Sequence, residues 1–246
     1  MALSLSDGAT ALDLPLPPAV APLGSFLQDL RVSPDGQTVV IADVSFWRQQ
    51  PALVVVDVAR QEARRVLQGH DSVRPQNWLV RTPAKAMRFF GGLVNLKPGV
   101  DGVAISADGA WVSYAAMAHD RLFRVPLAAL RDASLTPEQL ASRVERLGPK
   151  PLSDGLSMDT QGNVLITDVE HGSVMRWRAD TRQLQTLIQS PRIRWSDGLS
   201  HGPDGWLYLA DSAIPEQMLR SKAHIAAQGP YTVWRFRTDV PGTPGQ

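Results

Sequence analysis

The sequence predicts an all-β protein, a β-propeller with about four blades in the chain. Three observations predict it. One phrase is written twice, as Leu152-Ser-Asp-Gly-Leu-Ser-Met-Asp-Thr-Gln-Gly-Asn-Val-Leu-Ile-Thr-Asp168 and as Trp195-Ser-Asp-Gly-Leu-Ser-His-Gly-Pro-Asp-Gly-Trp-Leu-Tyr-Leu-Ala-Asp211. In both copies the opening Asp stands eight residues before a turn Gly and fourteen before a closing Asp. Two weaker copies lie upstream, from Asp29 to Asp43 and from Asp101, where the fourteenth residue is Ala115 and the closing acid is lost. Repeats of roughly 40–50 residues with about four short strands each are the sequence form of a propeller.

Each element follows in order. Residues 1–24 are a polar opening and a Pro-rich run, with prolines from Pro15 to Pro22 that forbid a central strand. They read as an extended segment and the remnant of a preceding blade; blades occupy 25–238 and a flexible tail 239–246. Blade A takes Leu30 and Val32 in alternation, turns at Ser33-Pro-Asp-Gly36, and adds strands at 38–42, 52–57 and 63–67. Residues 70–99 break the period. They mix Arg74, Arg81, Lys85, Arg88 and Lys97 with Trp78, Met87, Phe89, Phe90 and Leu93, and are expected to cover one mouth of the channel while remaining dispensable for folding. Blade B runs from Val100 through Val125. Thr136, Pro137 and Gln139 then start a short capped helix ahead of its last strand. Blades C and D begin at the two strong copies, and a helical connector at 215–227 leads to a strand at 232–236.

Composition excludes several classes. An apolar fraction of 43% permits a sizeable core, and the absence of cysteine removes disulfides, thiolate metal sites and cysteine nucleophiles. Net charge is +1, so no nucleic-acid partner is read from the chain. No apolar run reaches the length of about 18 residues that a span requires, so no membrane partner is read either. The first residues lack a signal-peptide pattern, which reads as cytoplasmic.

With these phrases laid out, the chain resembles the major royal jelly protein/Yellow family, in its bacterial branch. The resemblance rests on Phe26-Leu-Gln-Asp-Leu-Arg-Val, Gly99-Val-Asp-Gly-Val-Ala-Ile-Ser, Lys150-Pro-Leu-Ser-Asp-Gly-Leu-Ser-Met-Asp, Trp195-Ser-Asp-Gly and Gly229-Pro-Tyr-Thr-Val-Trp-Arg. It implies a six-bladed type of propeller, often secreted, with a small-molecule ligand in the central channel. The family's first blade has no counterpart here. An incomplete ring is therefore expected, with an open edge that invites self-association. A looser likeness connects Asp29, Asp101, Asp154 and Asp197 to the channel ligands of gluconolactonase-type propellers, which implies Ca²⁺ or Mg²⁺.

Two readings of those four aspartates stand side by side. Carboxylates gathered round a narrow channel repel one another and protonate, pair with a base or bind a hard cation. Alternatively, Asp before Gly fixes local backbone at the start of a strand. Asp43, Asp168 and Asp211 read as turn-satisfying residues, and Asp35, Asp108 and Asp204 as hairpin residues. Trp47, Trp195 and His201 are the expected ligand contacts, Trp111, Trp177, Trp206 and Trp234 packing residues, and His171 a candidate base. Function then divides between binding a small organic molecule and metal-assisted hydrolysis of a lactone or ester, with isomerisation of quinone-like compounds a third reading.

Overall fold

The computed structural model describes residues 1–243 and 245. Four antiparallel sheets form where the sequence alternates. Blade A consists of Leu27–Val32, Thr38–Asp43, Ala52–Asp57 and Glu62–Val66. Blade B consists of Val100–Ile105, Trp111–Ala116, Arg121–Pro126 and Glu145–Pro149. Blade C consists of Leu156–Met158, Val164–Asp168, Ser173–Trp177 and Leu184–Gln189. Blade D has three strands, Ser196–His201, Trp206–Asp211 and Thr232–Arg237. The chain is thus mainly β, a propeller arc of about four blades.

Apolar residues on facing sheets hold the arc together. Val40, Ala42 and Val55 of blade A pack on Val103, Tyr114 and Val125 of blade B. Ala104 and Leu122 meet Leu156, Met158 and Ile166 across the next gap, and Leu165 and Val174 meet Leu199, Leu207 and Leu209 across the third. Each fully buried branched side chain contributes about 1.5–3 kcal/mol against conformational entropy. The outer faces of the first and last blades are treated differently. Leu14, Leu16 and Val20 of the Pro-rich segment cover Val54 and Val56, while Leu30 and Val32 stay exposed. On blade D, Trp206 lies under the guanidinium groups of Arg235 and Arg237, at 4.7 and 4.8 Å.

Several expectations change on contact with the structure. The opening residues form a hairpin of Ala2–Leu3 with Thr10–Leu12. Residues 239–243 do not fray. Asp239 pairs with Arg176 at 2.5 Å, Thr160 N–H donates to Pro241 O at 2.9 Å, and Gly242 bridges Asp159. The tail positions Pro244 and Gln246 lie outside the described residues. The connector at 215–227 splits into Ile214–Gln217 and Lys222–Ala227. Trp177 packs between blades, but Trp111 is only half-buried, stacked 3.8 Å from the Arg124 guanidinium. The 70–99 segment is part of the core, because Val80, Met87 and Leu96 are buried against Met117, Leu152, Val169 and Trp195. Among the described residues, no helix is long and apolar enough to cross a membrane.

Candidate functional site

The inner strands bring one position of every blade to the same end of the channel. Strand pairing defines that position. Leu27 faces Asp43, Val100 faces Ala116 and Ser196 faces Asp211; after a bulge, Leu30, Val103 and Leu199 face Ile41, Tyr114 and Leu209. Leu156 faces Ile166 in the same register. The residues two before these are Gln28, Asp101, Asp154 and Asp197, and all four line one cavity. Asp29 is displaced by one residue. It stands where the other blades have Gly102, Gly155 and Gly198, because the acid of blade A is one residue nearer its turn Gly. The same register puts Ala116, rather than Ala115, in the place of the closing acids.

Glycine at that place lets adjacent strands approach closely. A Cβ on Gly155 would stand 2.4 Å from Asp197 O, and one on Gly102 would stand 2.8 Å from Asp154 O. Asp29 instead directs its carboxylate at the neighbouring blade, where Val103 N–H donates to Oδ2 at 3.2 Å. Its other oxygen accepts from Arg31 at 2.8 Å. The Arg31 guanidinium spans the channel and donates to Leu156 O at 2.8 Å and Leu199 O at 3.2 Å, tying blade A to blades C and D. Arg31 was not legible as a site residue from the repeats. The signal was present, since Ala104, Ser157 and Ser200 hold its place in the other blades.

Burial and mutual repulsion raise the carboxyl groups together. Burial first, then the charges of Asp154, Asp197 and Asp29, push Asp101 well above the usual carboxylate range, and it donates to Asp154. Burial and Asp197 push Asp154 up to about 8, opposed by the Trp195 indole, whose Nε1–H donates to Oδ2 at 2.6 Å. Burial also raises Asp197 and Asp29. Lys150, fully enclosed, is pushed down to about 7 by burial, while Asp120, Asp101 and Asp168 pull it back up. Its ammonium donates to Pro151 O and Ser153 Oγ, both at 2.9 Å.

Above this polar end lies a cavity of about 430 Å³ with largely apolar walls. Val44, Phe46 and Trp47 come from the end of blade A, and Met117 from blade B. Phe89, Phe90, Val94 and Leu96 come from the 70–99 segment, and Ile214, Met218 and Leu219 from the connector. Trp47 stands on the rim and Trp195 in the floor, fully buried. His201 is elsewhere. Four residues along the strand from Asp197, roughly 13 Å at strand rise, it is buried with Nδ1 3.2 Å from Ser157 Oγ and Gly242 packed on its ring. It lines no wall of the cavity. His171 is held by Asp168 at 2.9 Å, also away from the cavity.

The closing acids satisfy backbone. Asp43 accepts from Phe26 and Ser45 N–H, Asp168 from Glu170 and His171 N–H, and Asp211 from Trp195 and Arg194 N–H. A divalent cation would need three or more hard donors converging on one point. Among the described residues, no three carboxylate or imidazole groups do so. Asp29 is committed to Arg31, and Asp154 to the Trp195 indole. The residues as placed do not fit a metal centre.

The arc is similar to several solved propellers at 13–14% identity. A luciferin-regenerating enzyme matches with a TM-score of 0.58 and 13% identity over 90% of this chain and 64% of its own. A chain of a nidogen/laminin complex matches with a TM-score of 0.54 and 13% identity over 78% and 58%. A gluconolactonase from Xanthomonas campestris matches with a TM-score of 0.50 and 14% identity over 75% and 54%. The chain thus spans between about half and two-thirds of the length of these structures, which show its fold. No curated protein matches the sequence. The family model described as major royal jelly protein matches residues 1–211, most of the chain and three of the four blades, and the chain belongs to that family.

Proposed function

We infer that the chain binds a small organic molecule with an apolar body and one hydrogen-bonding head, in the cavity at the end of the channel. One observation carries this reading: apolar walls close over the buried Asp101 and Asp154 carboxyls, the second held by Trp195. The volume falls within the range of small-molecule sites, about 300–1,000 Å³. Both carboxyls are raised, so each offers an O–H donor and a carbonyl acceptor, and a hydroxyl, carbonyl or amide head finds a partner either way. Desolvated in this way, each hydrogen bond to the head discriminates against molecules that lack it.

The alternative, hydrolysis of a lactone or ester through a bound cation, requires a donor set that the placed residues do not make. No hydrolytic step is derived for it. The test is a thermal-shift and calorimetric screen of hydroxylated aromatic and alicyclic compounds against the wild type and Val94→Trp. Val94 lines the cavity and is only half-buried, so the larger ring fills the space without entering the core. Binders should stabilise the wild type and lose that effect in the variant. A screen without binders, or binders indifferent to Val94→Trp, would overturn the reading.

A further inference from the structure

We propose that the rim of this cavity is a docking surface for an anionic lipid bilayer. The rim is apolar and exposed to an unusual degree. Phe26, Trp47, Phe90 and Leu219 line the cavity mouth, and Leu23 and Leu93 adjoin lining residues; their exposures run from 54% at Phe26 to 99% at Leu23. Six large apolar side chains around one opening exceed the scattered exposure of a monomer's surface.

Charge decides the occupant. The chain as a whole carries +1, but from Asp71 to Asp101 it has five bases and no acid between. Two of those bases, Lys85 and Arg88, are placed at the rim. Lys85 lies 5.4 Å from the Phe89 ring and donates to Met218 O, and Arg88 packs beside Gly92. Arg48 lies against Gly24, which lines the cavity, and Lys97 contacts Asn77. Arg220 follows directly on Leu219, and Lys222 lies two residues further on. The salt bridges of the described residues involve none of these six bases. Apolar side chains flanked by lysine and arginine outside the close ion pairs match an interface of acyl chains below anionic headgroups.

Backbone conformation supplies an independent observation. Phe90 and Leu219 both hold the left-handed region, at φ 51° and 58°, where bulky residues are disfavoured. Glycine would fit there at less cost. The fold instead keeps two large apolar side chains in a strained turn and presents them to solvent, as strain retained at working surfaces does.

The same strain provides the test. Phe90→Gly with Leu219→Gly removes two rim side chains and relieves the left-handed strain, so the melting temperature should hold or rise while docking falls. Sedimentation would use vesicles of phosphatidylcholine with about 30 mol% phosphatidylglycerol, and vesicles of phosphatidylcholine alone. Wild type should bind the anionic vesicles, weaken at high salt and bind the neutral ones poorly. The glycine variant should lose at least about tenfold in partitioning. Arg88→Gln with Lys97→Gln should lose about fivefold per charge on the anionic vesicles. Val233→Thr, an exposed apolar residue of blade D away from the rim, should bind like wild type. Absence of binding to anionic vesicles would overturn the proposal. So would binding that the rim variants leave unchanged, or self-association of the wild type that buries the rim and is abolished by the glycine variant without any vesicle binding.

Discussion

Replacing Asp154 by Asn should make the protein more stable at alkaline pH and leave it nearly unchanged in mild acid. The carboxyl is pushed from 3.8 up to about 8, by burial first and then by Asp197. Between those values the folded state holds a proton that the unfolded chain has released. Unfolded molecules then bind fewer protons, so the slope of stability with pH is negative. The contribution is present in full below 3.8 and is lost as pH rises through about 8. Taken whole, a shift of that size is an energy of about 6 kcal/mol at 1.36 kcal/mol per unit. Water entry and relaxation act as an effective dielectric nearer 20 than 4, which reduces the expectation to about 2 kcal/mol.

Asn keeps an oxygen to accept the Trp195 Nε1–H, bonded in the wild type at 2.6 Å, and does not titrate. Urea denaturation of both proteins across this range should therefore show curves nearly coincident at about pH 5 and separated by about 2 kcal/mol at about pH 8, with the variant ahead. In a chain of this length that is a rise of about 6 °C in melting temperature. Lys150, pushed down to about 7, acts in the opposite sense. Its contribution is lost as pH falls through that value, and it is common to both proteins, so it cancels in the difference. An Asn variant less stable than wild type at pH 8, or a gap independent of pH, would refute the assignment of Asp154 as a carboxyl kept protonated by its surroundings.

Other consequences follow from neighbouring residues. Arg31→Met should cost about 3 kcal/mol in urea denaturation, because it leaves the half-buried Asp29 and two inner-strand carbonyls without their donor. Trp195→Phe removes the hydrogen bond that lowers Asp154, so it should cost about 1.5 kcal/mol and move the stability loss of the wild type to higher pH. Met87→Ala, under the 70–99 segment and fully buried, should cost about 2–5 kcal/mol, whereas a dispensable lid would tolerate it. Calcium should leave the melting temperature unchanged; a rise removed by Asp154→Asn with Asp197→Asn would reinstate the cation reading.

The blades were legible because a strand pattern of period two is written in the residues themselves. Thr38 to Asp43 and Ala52 to Asp57 need no long-range information to be read as strands, and the Asp-Gly phrases mark where inner strands begin. The site was legible only in part, since its composition depends on register and on distant segments. Spacing from the opening Asp places Asp29 with Asp101, but spacing from the turn Gly places Gln28 there, since Asp29 stands one residue nearer its turn than the other opening acids. A one-residue slip of that kind exchanges a channel carboxylate for an amide and turns Asp29 onto Arg31. His201 repeats the lesson along the strand rather than across it: it is on the inner strand, yet at the wrong end.

The cavity walls were the least legible part, because no local rule says what a period-breaking insertion packs against. Five bases among aromatics read as a cover over one mouth of the channel that folding could dispense with, until Val80, Met87 and Leu96 are seen buried against Trp195. That anchoring explains two features together. It closes the apolar roof that raises the Asp101–Asp154 pair, and it holds Phe90 and Leu93 outward at the rim with their basic neighbours. Burial at the floor and exposure at the rim are therefore consequences of one packed segment. A substitution such as Met87→Ala that loosens it should shift the acid pair back toward ordinary values and weaken vesicle docking in the same protein. If the two properties moved independently, the single-segment account would fail even with each site intact.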